Sequence, residues 1–240
     1  MTSAQMGGDS KTALAMAEKL DKELPMDFAV AVPLVQPVKA APYFAKVQFG
    51  AFDDILGLLD PGAEVPFLQA AWHYARGAAF VRKGDIDAAQ QEIKAIATLA
   101  QLTDFSVMTD AGIPAPDLLE IEQLIIVAKI ADAEGDLDRA IDALEKAAAV
   151  QQALPYMEPP YWYYPIKQTL AATLLKDGQS NRAEMLFMEA LIESPNNGWA
   201  TFGLAKSYEA QNNRRAAKYA KELFKQNWFG NRRSISLDQL

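Results

Sequence analysis

Residues 164–197 read YPIKQTLAATLLKDGQSNRAEMLFMEALIESPNN, and this stretch decides the fold. Two runs of apolar residues at helical spacing flank Gly178, and the same arrangement recurs 34 residues later around Asn212. Small residues occupy equivalent positions on either side of the two turns: Ala171, Ala205, Ala183 and Ala217. A fixed period of this length is typical of helical hairpins that stack on one another.

The same turn recurs towards the amino terminus. Four glycines are each followed five residues later by a small or aliphatic side chain: Gly8, Gly50, Gly84 and Gly135. Small residues on both helices of a hairpin let the two backbones approach, and a bulkier one would overpack the contact at a cost of about 1–3 kcal/mol. The turn residue, glycine or Asn212, ends the first helix because it accepts the left-handed conformation. We therefore expect like hairpins to stack in chain order into an elongated curved rod rather than a globule.

The pattern resembles the tetratricopeptide repeat (TPR). Large, small, large, small, aromatic, small and proline residues stand in the order of that family at Leu170, Ala171, Leu174, Ala183, Phe187, Ala190 and Pro195. The resemblance implies an all-α fold, a right-handed α-α superhelix (TPR solenoid) of about five helical hairpins. Four further stretches resemble the carboxy-terminal half of a family of longer, uncharacterised bacterial TPR proteins: APYFAKVQFGAFDDIL, WHYARG, EPPYWYYP and NNGWATFGLA.

The period assigns the whole chain, 1–240, to a single TPR-like solenoid. A half repeat covers 1–24, and the repeats and the tail that follow are 28–61, 66–102, 117–150, 161–195, 198–229 and 230–240. The prolines within residues 24–48 predict short helices that start afresh. Two insertions, 103–117 and 154–165, are expected as loops, and loops on one face of a repeat array are often where binding occurs.

The half repeat lacks most of its first helix, since only TSAQM precedes the turn at Gly8. A helix of this kind cannot bury its apolar face alone. We therefore expect this exposed half repeat to be covered by a preceding segment of a longer protein or by a second copy of the chain, and the second case gives a homo-oligomer. The compartment stays open: the cytoplasm is favoured for the chain as given, and export if a signal peptide precedes it.

Composition restricts the chemistry. The chain contains no cysteine and one histidine, so zinc–thiolate sites, cysteine nucleophiles and histidine-based metal clusters are not expected. It has no phosphate-binding glycine loop, and acidic pairs such as Asp53 and Asp54 stand at predicted helix starts, where the helix dipole explains them. We therefore expect no catalytic residue, no metal and no cofactor, and a protein that is not an enzyme.

Charge argues against a nucleic-acid partner. The net charge is −8, with +5 from residue 214 onward and −13 before it. The basic residues of the last repeat recur at helical spacing, which favours a solvated outer face: Arg214, Arg215, Lys218, Lys221 and Lys225. No apolar run reaches the length of about 18 residues that a membrane-spanning helix needs, so no membrane partner is expected.

Candidate binding residues lie first on the inner face. In the repeat type that the sequence resembles, the first helix of each hairpin lines the concave surface, and the positions turned inward include Tyr74, Ile125, Lys129, Gln168, Phe202 and Lys206. Such a mixed, partly apolar groove suits an extended peptide or an amphipathic helix. Family members that hold a chaperone's terminal carboxylate carry lysine, arginine and asparagine at such places, whereas this chain has Tyr74 and Ile125, so that role is not expected.

The second candidate feature is the aromatic insertion around Trp162 and Tyr163. Its rings either line a ligand groove at the rim or cover the core between the third and fourth repeats. His73, beside Tyr74 on a predicted helix, is a groove residue or a hydrogen-bonded core residue. We expect a protein–protein interaction scaffold that binds a peptide or protein segment on the concave face. The alternative is a regulatory or ligand-sensing half of a larger enzyme or small-molecule-binding protein, which a pocket bounded jointly by Trp162, Tyr74 and His73 would favour.

Overall fold

The computed structural model describes residues 1–233 and 235–240, and in that part of the chain every regular element is helical. The α-helices are α1 Thr2–Met6, α2 Ser10–Glu23, α3 Met26–Ala31, α4 Gln36–Phe49, α5 Phe52–Leu56, α6 Pro66–Lys83, α7 Ile86–Leu102, α8 Ser106–Asp110, α9 Ala115–Glu134, α10 Leu137–Ala153, α11 Ile166–Lys176, α12 Ser180–Glu193, α13 Gly198–Ala210 and α14 Arg214–Asn227. Two 3-10 turns cover Pro33–Val35 and Leu237–Gln239. The prediction of an all-α fold is confirmed.

Successive helices pack on one another in chain order. Within hairpins, α6 packs on α7, α9 on α10, α11 on α12 and α13 on α14. Between hairpins, α7 packs on α9, α10 on α11 and α12 on α13, while α2 and α6 both pack on α4. Buried side chains from α3 to the end of the chain form one continuous apolar cluster. Each hairpin is therefore stabilised mainly by its neighbours along the chain.

Left-handed residues end the first helices as the pattern predicts. Positive φ angles occur at five of the turns: Gly8, Gly84, Gly135, Gly178 and Asn212. The residue after the turn then caps the second helix in several hairpins; the Asp85 side chain, for example, accepts a hydrogen bond from the Ala88 N–H at 3.1 Å. Gly50 is the exception, since its φ of −76° and ψ of 160° are extended. A Cβ there would meet the Lys46 carbonyl oxygen at 2.7 Å, so close packing, not φ, requires this glycine.

The proline-rich span largely agrees with its prediction, whereas the insertion 103–117 does not. The proline-rich span breaks into α3, a 3-10 turn and α4, as expected for helices that start afresh, although Pro42 lies inside α4. Within the insertion 103–117, which was expected as a loop, Ser106–Asp110 forms the short helix α8. Phe105 and Met108 are buried, so apolar contacts with the core accompany this helical turn.

The two ends of the array are in contact. The Phe229 N–H donates a hydrogen bond to the Gly7 carbonyl at 2.8 Å. The Trp228 ring lies so close to Gly8 that a Cβ on Gly8 would come within 2.3 Å of it. Trp228 also meets the Trp199 ring edge to face, with 4.6 Å between ring centroids. We call this contact between residues 5–8 and the last hairpin the end seam.

The end seam overturns two expectations, the exposed half repeat and the elongated rod. Gln5 on α1 is buried, and its carbonyl accepts a hydrogen bond from the Trp199 indole at 2.8 Å, so the apolar face of the half repeat is covered by the same chain. The accessible surface of 11784 Å² exceeds the roughly 10,600 Å² expected of a compact monomer of this mass, so it is the contact between the two ends that contradicts an elongated rod. The repeat pattern specifies contacts between neighbouring hairpins, whereas closure depends on the rotation that each hairpin adds.

Candidate functional site

The inner face of the closed array is formed by α4, α6, α9 and α11, and we call it the inner groove. Two segments of the same chain lie in it. One is the aromatic loop, residues 154–165, and the other is the tail segment, residues 235–240. The groove is therefore partly filled from within, and its free space is divided into separate cavities.

The aromatic loop reaches across the groove to α4 and α6. The Trp162 ring, 2% exposed, lies 5.5 Å from the Phe44 ring and 5.3 Å from the Tyr74 ring, measured between centroids. Tyr163 stacks on Phe44 with 4.9 Å between centroids, and its hydroxyl lies 2.9 Å from the Tyr74 hydroxyl. Burial raises the pKa of both Tyr74 and Tyr163 well above the usual value, so both hydroxyls stay neutral. The aromatic loop fixes the position of α6 against α4 and closes one side of the groove.

A buried carboxyl group belongs to this aromatic cluster. Glu122 on α9 is 1% exposed, and its Oε2 has no hydrogen-bond partner among the described residues. Burial raises its pKa well above the usual value. Burial therefore favours the neutral form of this group, which costs less in an apolar interior than a carboxylate does.

The tail segment lies along α9 and α11. Asp238 pairs with Lys176 on α11 at 2.7 Å, and Lys176 also pairs with Asp132 on α9 at 2.9 Å. The Thr169 hydroxyl donates a hydrogen bond to the main-chain oxygen of Leu240. Burial lowers the pKa of Lys176, but the hydrogen bonds that its ammonium donates to Asp132 and Asp238 outweigh this effect, and the net pKa is raised. Polar contacts thus hold both the main chain and a side chain of the tail segment.

Apolar surface of the groove faces the two leucines of the tail segment. Leu240 is 8% exposed, and Leu237 is half-buried against the core. A gap of only about 40 Å³ separates these leucines from Ile125, Ala128 and Ala172. The inner groove therefore accommodates aliphatic side chains, a carboxylate side chain and a main-chain oxygen of one short segment.

A polar cavity of about 200 Å³ lies next to the tail segment. Its lining residues are Val47, Gln48, Arg82, Lys129, Tyr163, Tyr164, Gln168, Asp238, Gln239 and Leu240. The Lys129 ammonium has no hydrogen-bond or ion-pair partner within residues 1–233 and 235–240. Burial lowers its pKa, the charges of Arg82 and Lys176 lower it further, and the charge of Asp132 offsets part of this change. The cavity thus holds a cation without a counter-charge in contact.

A larger, mostly apolar cavity of about 480 Å³ lies on the other side of the aromatic loop. Leu20, Leu34, Val38 and Phe44 line it from α2, the 3-10 turn and α4, and residues 157–161 close it. Its volume falls in the range of roughly 300–1,000 Å³ that is usual for small-molecule sites.

The structure brings six of the nine predicted binding residues to the inner groove. Tyr74, Trp162 and Tyr163 meet in the aromatic cluster, while Ile125, Lys129 and Gln168 line the cavities beside the tail segment. The other three lie elsewhere: His73, Phe202 and Lys206. Trp162 and Tyr163 of the aromatic loop pack on α4 and α6, whereas residues 155–160 of the loop are exposed and residues 157–161 border the 480 Å³ cavity.

His73 points away from Tyr74, since neighbouring residues of a helix differ by about 100° in direction. Its Nδ1 lies 2.5 Å from Glu92 Oε2 on α7, and the other oxygen of Glu92 accepts a hydrogen bond from Arg76 Nε at 2.8 Å. A pocket bounded jointly by Trp162, Tyr74 and His73 is therefore absent from the described residues. His73 is a hydrogen-bonded residue of the α6–α7 contact.

Phe202 and Lys206 belong to the last hairpin rather than to the groove. The Phe202 ring packs on Phe224 of α14 at 5.5 Å between centroids. Lys206 lies over the Phe202 ring and pairs with Glu209 at 3.0 Å. The repeat pattern predicts the same groove-facing positions in every first helix, but on α13 these positions face α14 instead of the groove.

Sequence reasoning missed the groove residues that hold the tail segment, above all Lys176, Thr169 and Asp238. One spacing contained a signal, because Arg82 and Lys176 each stand two residues before a turn glycine, Gly84 or Gly178. Two cations at equivalent places in two repeats indicate a shared face of the array. The tail segment itself carries no repeat pattern, so its position was not predictable from the period.

Comparisons with known proteins return no relative: no family model, no curated protein and no solved structure matches the chain. In the part of the chain that the structure describes, no helix combines the length and apolar character needed to cross a bilayer.

Proposed function

We propose that the chain is a protein–protein interaction scaffold: a TPR-type right-handed superhelix, closed by its end seam, whose inner groove binds a short segment of a partner protein. The observation that carries the proposal is the tail segment, which occupies the groove along α9 and α11. A groove that holds one segment of the same chain offers the contacts that a peptide ligand needs.

The contacts of the tail segment define the chemistry of the partner. Leu237 and Leu240 face apolar groove surface, and Asp238 between them pairs with Lys176. The Thr169 hydroxyl binds main chain and therefore accepts any residue there. The partner segment accordingly carries two aliphatic residues three positions apart with an acidic residue between them.

A partner segment can displace the tail segment, because the polar contacts that hold the tail segment in the groove are weak. The Asp238 side chain is 76% exposed, and an exposed ion pair contributes only about 0–1 kcal/mol. The tail segment nevertheless competes strongly with free peptide, since a tethered segment has an effective concentration in the millimolar range. A partner peptide at micromolar concentration therefore binds tightly only when the tail segment is weakened.

The test uses the full chain and a labelled peptide of residues 235–240, followed by fluorescence anisotropy. Leu237→Ser with Leu240→Ser in the chain weakens its own tail segment, and we expect this variant to bind the peptide at least tenfold more tightly than the wild-type chain does. A peptide carrying Asp238→Lys should bind less well, because it places a cation against Lys176.

The matched control replaces Leu102 and Ile192 by serine, since both are 80% exposed outside the groove. This control should bind the peptide as weakly as the wild-type chain does. If the tail variant keeps its helical circular dichroism and still shows no gain in peptide affinity, the groove does not bind peptides of this kind and the proposal fails.

The 480 Å³ cavity favours a second function, the ligand-sensing alternative, with an apolar small molecule held against the aromatic loop. A thermal-shift measurement with apolar small molecules, run beside the peptide titration, separates the two. Peptide binding without stabilisation by apolar small molecules supports the scaffold. If apolar small molecules stabilise the wild-type chain, and neither the tail variant nor the control variant binds the peptide, the result supports the ligand-sensing function.

A further inference from the structure

We infer that the cavity between Arg82 and Lys129 is a binding site for the carboxylate group of a small organic monoanion. The inference does not depend on the proposed function, because the site lies beside the tail segment and exists with that segment in place.

The geometry supports an anion. Lys129 projects from the middle of α9 into the cavity and is half-buried there, whereas Arg82, from the last turn of α6, is exposed at the mouth. Lys129 contacts no anionic or hydrogen-bonding partner among the described residues. Removing an ammonium from water without a partner is costly, and a carboxylate placed against it offsets that cost.

The charges around the cavity select a monoanion. The cationic side chains that line the cavity are Arg82 and Lys129, and the carboxylate side chain among the described lining residues is Asp238, which pairs with Lys176 outside the lining. These three lining side chains leave one net positive charge, so one carboxylate neutralises them. A phosphate dianion would overcompensate it.

The lining and the volume restrict the rest of the ligand. Side-chain amides of Gln48 and Gln168 border the cavity and offer hydrogen-bond donors, while Val47 and Leu240 supply apolar surface. A volume of about 200 Å³ exceeds the roughly 150 Å³ that admits benzene in a protein interior. The ligand is therefore a carboxylate with a short aliphatic or aromatic body.

The experiment titrates the full wild-type chain with sodium butyrate, observed by NMR, with butyramide as the uncharged isostere and inorganic phosphate as the dianion. We expect saturable shifts with butyrate and at least tenfold weaker binding of butyramide and of phosphate. N-acetyl-glutamate amide tests the other source of the same group, an acidic side chain of a peptide. Tighter binding of butyrate than of this amide indicates a free carboxylate ligand, and the reverse order indicates a side chain.

Variants decide whether the site is the predicted one. Lys129→Met keeps the length of the side chain and removes its charge, and we expect it to weaken butyrate binding at least tenfold. Lys94→Met, on the exposed side of α7, serves as the control and should bind as the wild-type chain does. Equal affinities for butyrate and butyramide, or a Lys129→Met variant that binds butyrate normally, would overturn the inference.

Discussion

Glu122 shows what one residue costs when its side chain is buried without a full set of partners. Its Oε2 accepts no hydrogen bond from the described residues, and burial raises its pKa well above 4.5. In the unfolded chain the group ionises near 4.5. As the pH rises above that value, the unfolded state loses a proton that the folded state keeps, so folding stability falls until the folded pKa is passed.

We therefore predict that Glu122→Gln stabilises the chain at pH 7.5 and that its advantage shrinks as the pH falls towards 4.5. A gain of 1 kcal/mol raises the melting temperature by roughly 2–4 °C for a chain of this size. Melting curves between pH 4.5 and 8 measure the difference. Glu120→Gln is the control, because Glu120 is exposed on the same helix. A stability gain that does not change with pH would contradict the raised pKa.

At the same scale, side-chain direction was predictable only in part. Tyr74 and Lys129 were assigned to the inner groove from their repeat positions, and both lie there. His73, grouped with Tyr74 because the two are adjacent in sequence, lies on another side of α6. Phe44, which packs on Tyr74 and on the aromatic loop, was not predicted. It lies in the proline-rich region, where the repeat period is irregular and does not indicate which residues face the groove.

The contact between α12 and α13 illustrates how single elements fit together. Gly203 on α13 faces Phe187 on α12, and a Cβ on Gly203 would come within 2.1 Å of the Phe187 ring. Both residues are buried. The phenyl ring thus occupies the space that the missing side chain leaves, and the two helices approach at that point.

We predict that Gly203→Ala destabilises the chain, although alanine favours a helix over glycine by about 1 kcal/mol. Overpacking against the ring costs about 1–3 kcal/mol and outweighs that gain. Phe187→Leu should recover part of the stability that Gly203→Ala removes, whereas Phe187→Leu alone should not stabilise the chain. A double-mutant cycle measured by chemical denaturation tests this coupling. Additive effects of the two substitutions would show that the ring and the glycine are not coupled.

The existence of the helices and their turns was largely predictable, because apolar spacing and left-handed residues are local signals. Gly84 and Gly135 end α6 and α9 as the pattern indicates. Gly50 and α8 were not predicted correctly, since an extended glycine and a short helical turn depend on contacts with other elements. The right-handed superhelix of the TPR type stays a proposal.

The whole molecule is closed by the end seam, and its stability is correspondingly less local than that of an open array. Trp228 joins the two sides of the contact, since its ring packs on both Gly8 and Trp199. We predict that Trp228→Ala opens the seam at a cost of about 3–5 kcal/mol. Amide hydrogen exchange should then accelerate in α1 and α2 while α9 and α10 keep their protection.

Tyr219→Ala is the control for this variant, because Tyr219 is 69% exposed on α14, the helix that ends just before Trp228. Small-angle scattering provides a second measurement. We expect the radius of gyration of the Trp228→Ala variant to exceed the roughly 18 Å expected of a compact chain of this length. If Trp228→Ala accelerates exchange evenly along the chain, the seam is not a separable part of the fold.

Closure was the least predictable property of the molecule. The period specifies how each hairpin meets the next, but a small rotation repeated from hairpin to hairpin decides whether the ends meet. The predicted rod was wrong for this reason. The position of the tail segment was equally unpredictable from the repeat period, because this segment follows the last repeat and packs on helices that are distant in the sequence.

The end seam also limits how such a protein can change in size. In open solenoids the outermost units carry polar faces, and a unit can be gained or lost without disturbing the remainder. Here the first and last units shield each other through Gly8 and Trp228. Duplication or deletion of one hairpin would pull these two residues apart and expose the indole to water. The number of hairpins between Gly8 and Trp228 is therefore under a geometric constraint that open arrays do not have.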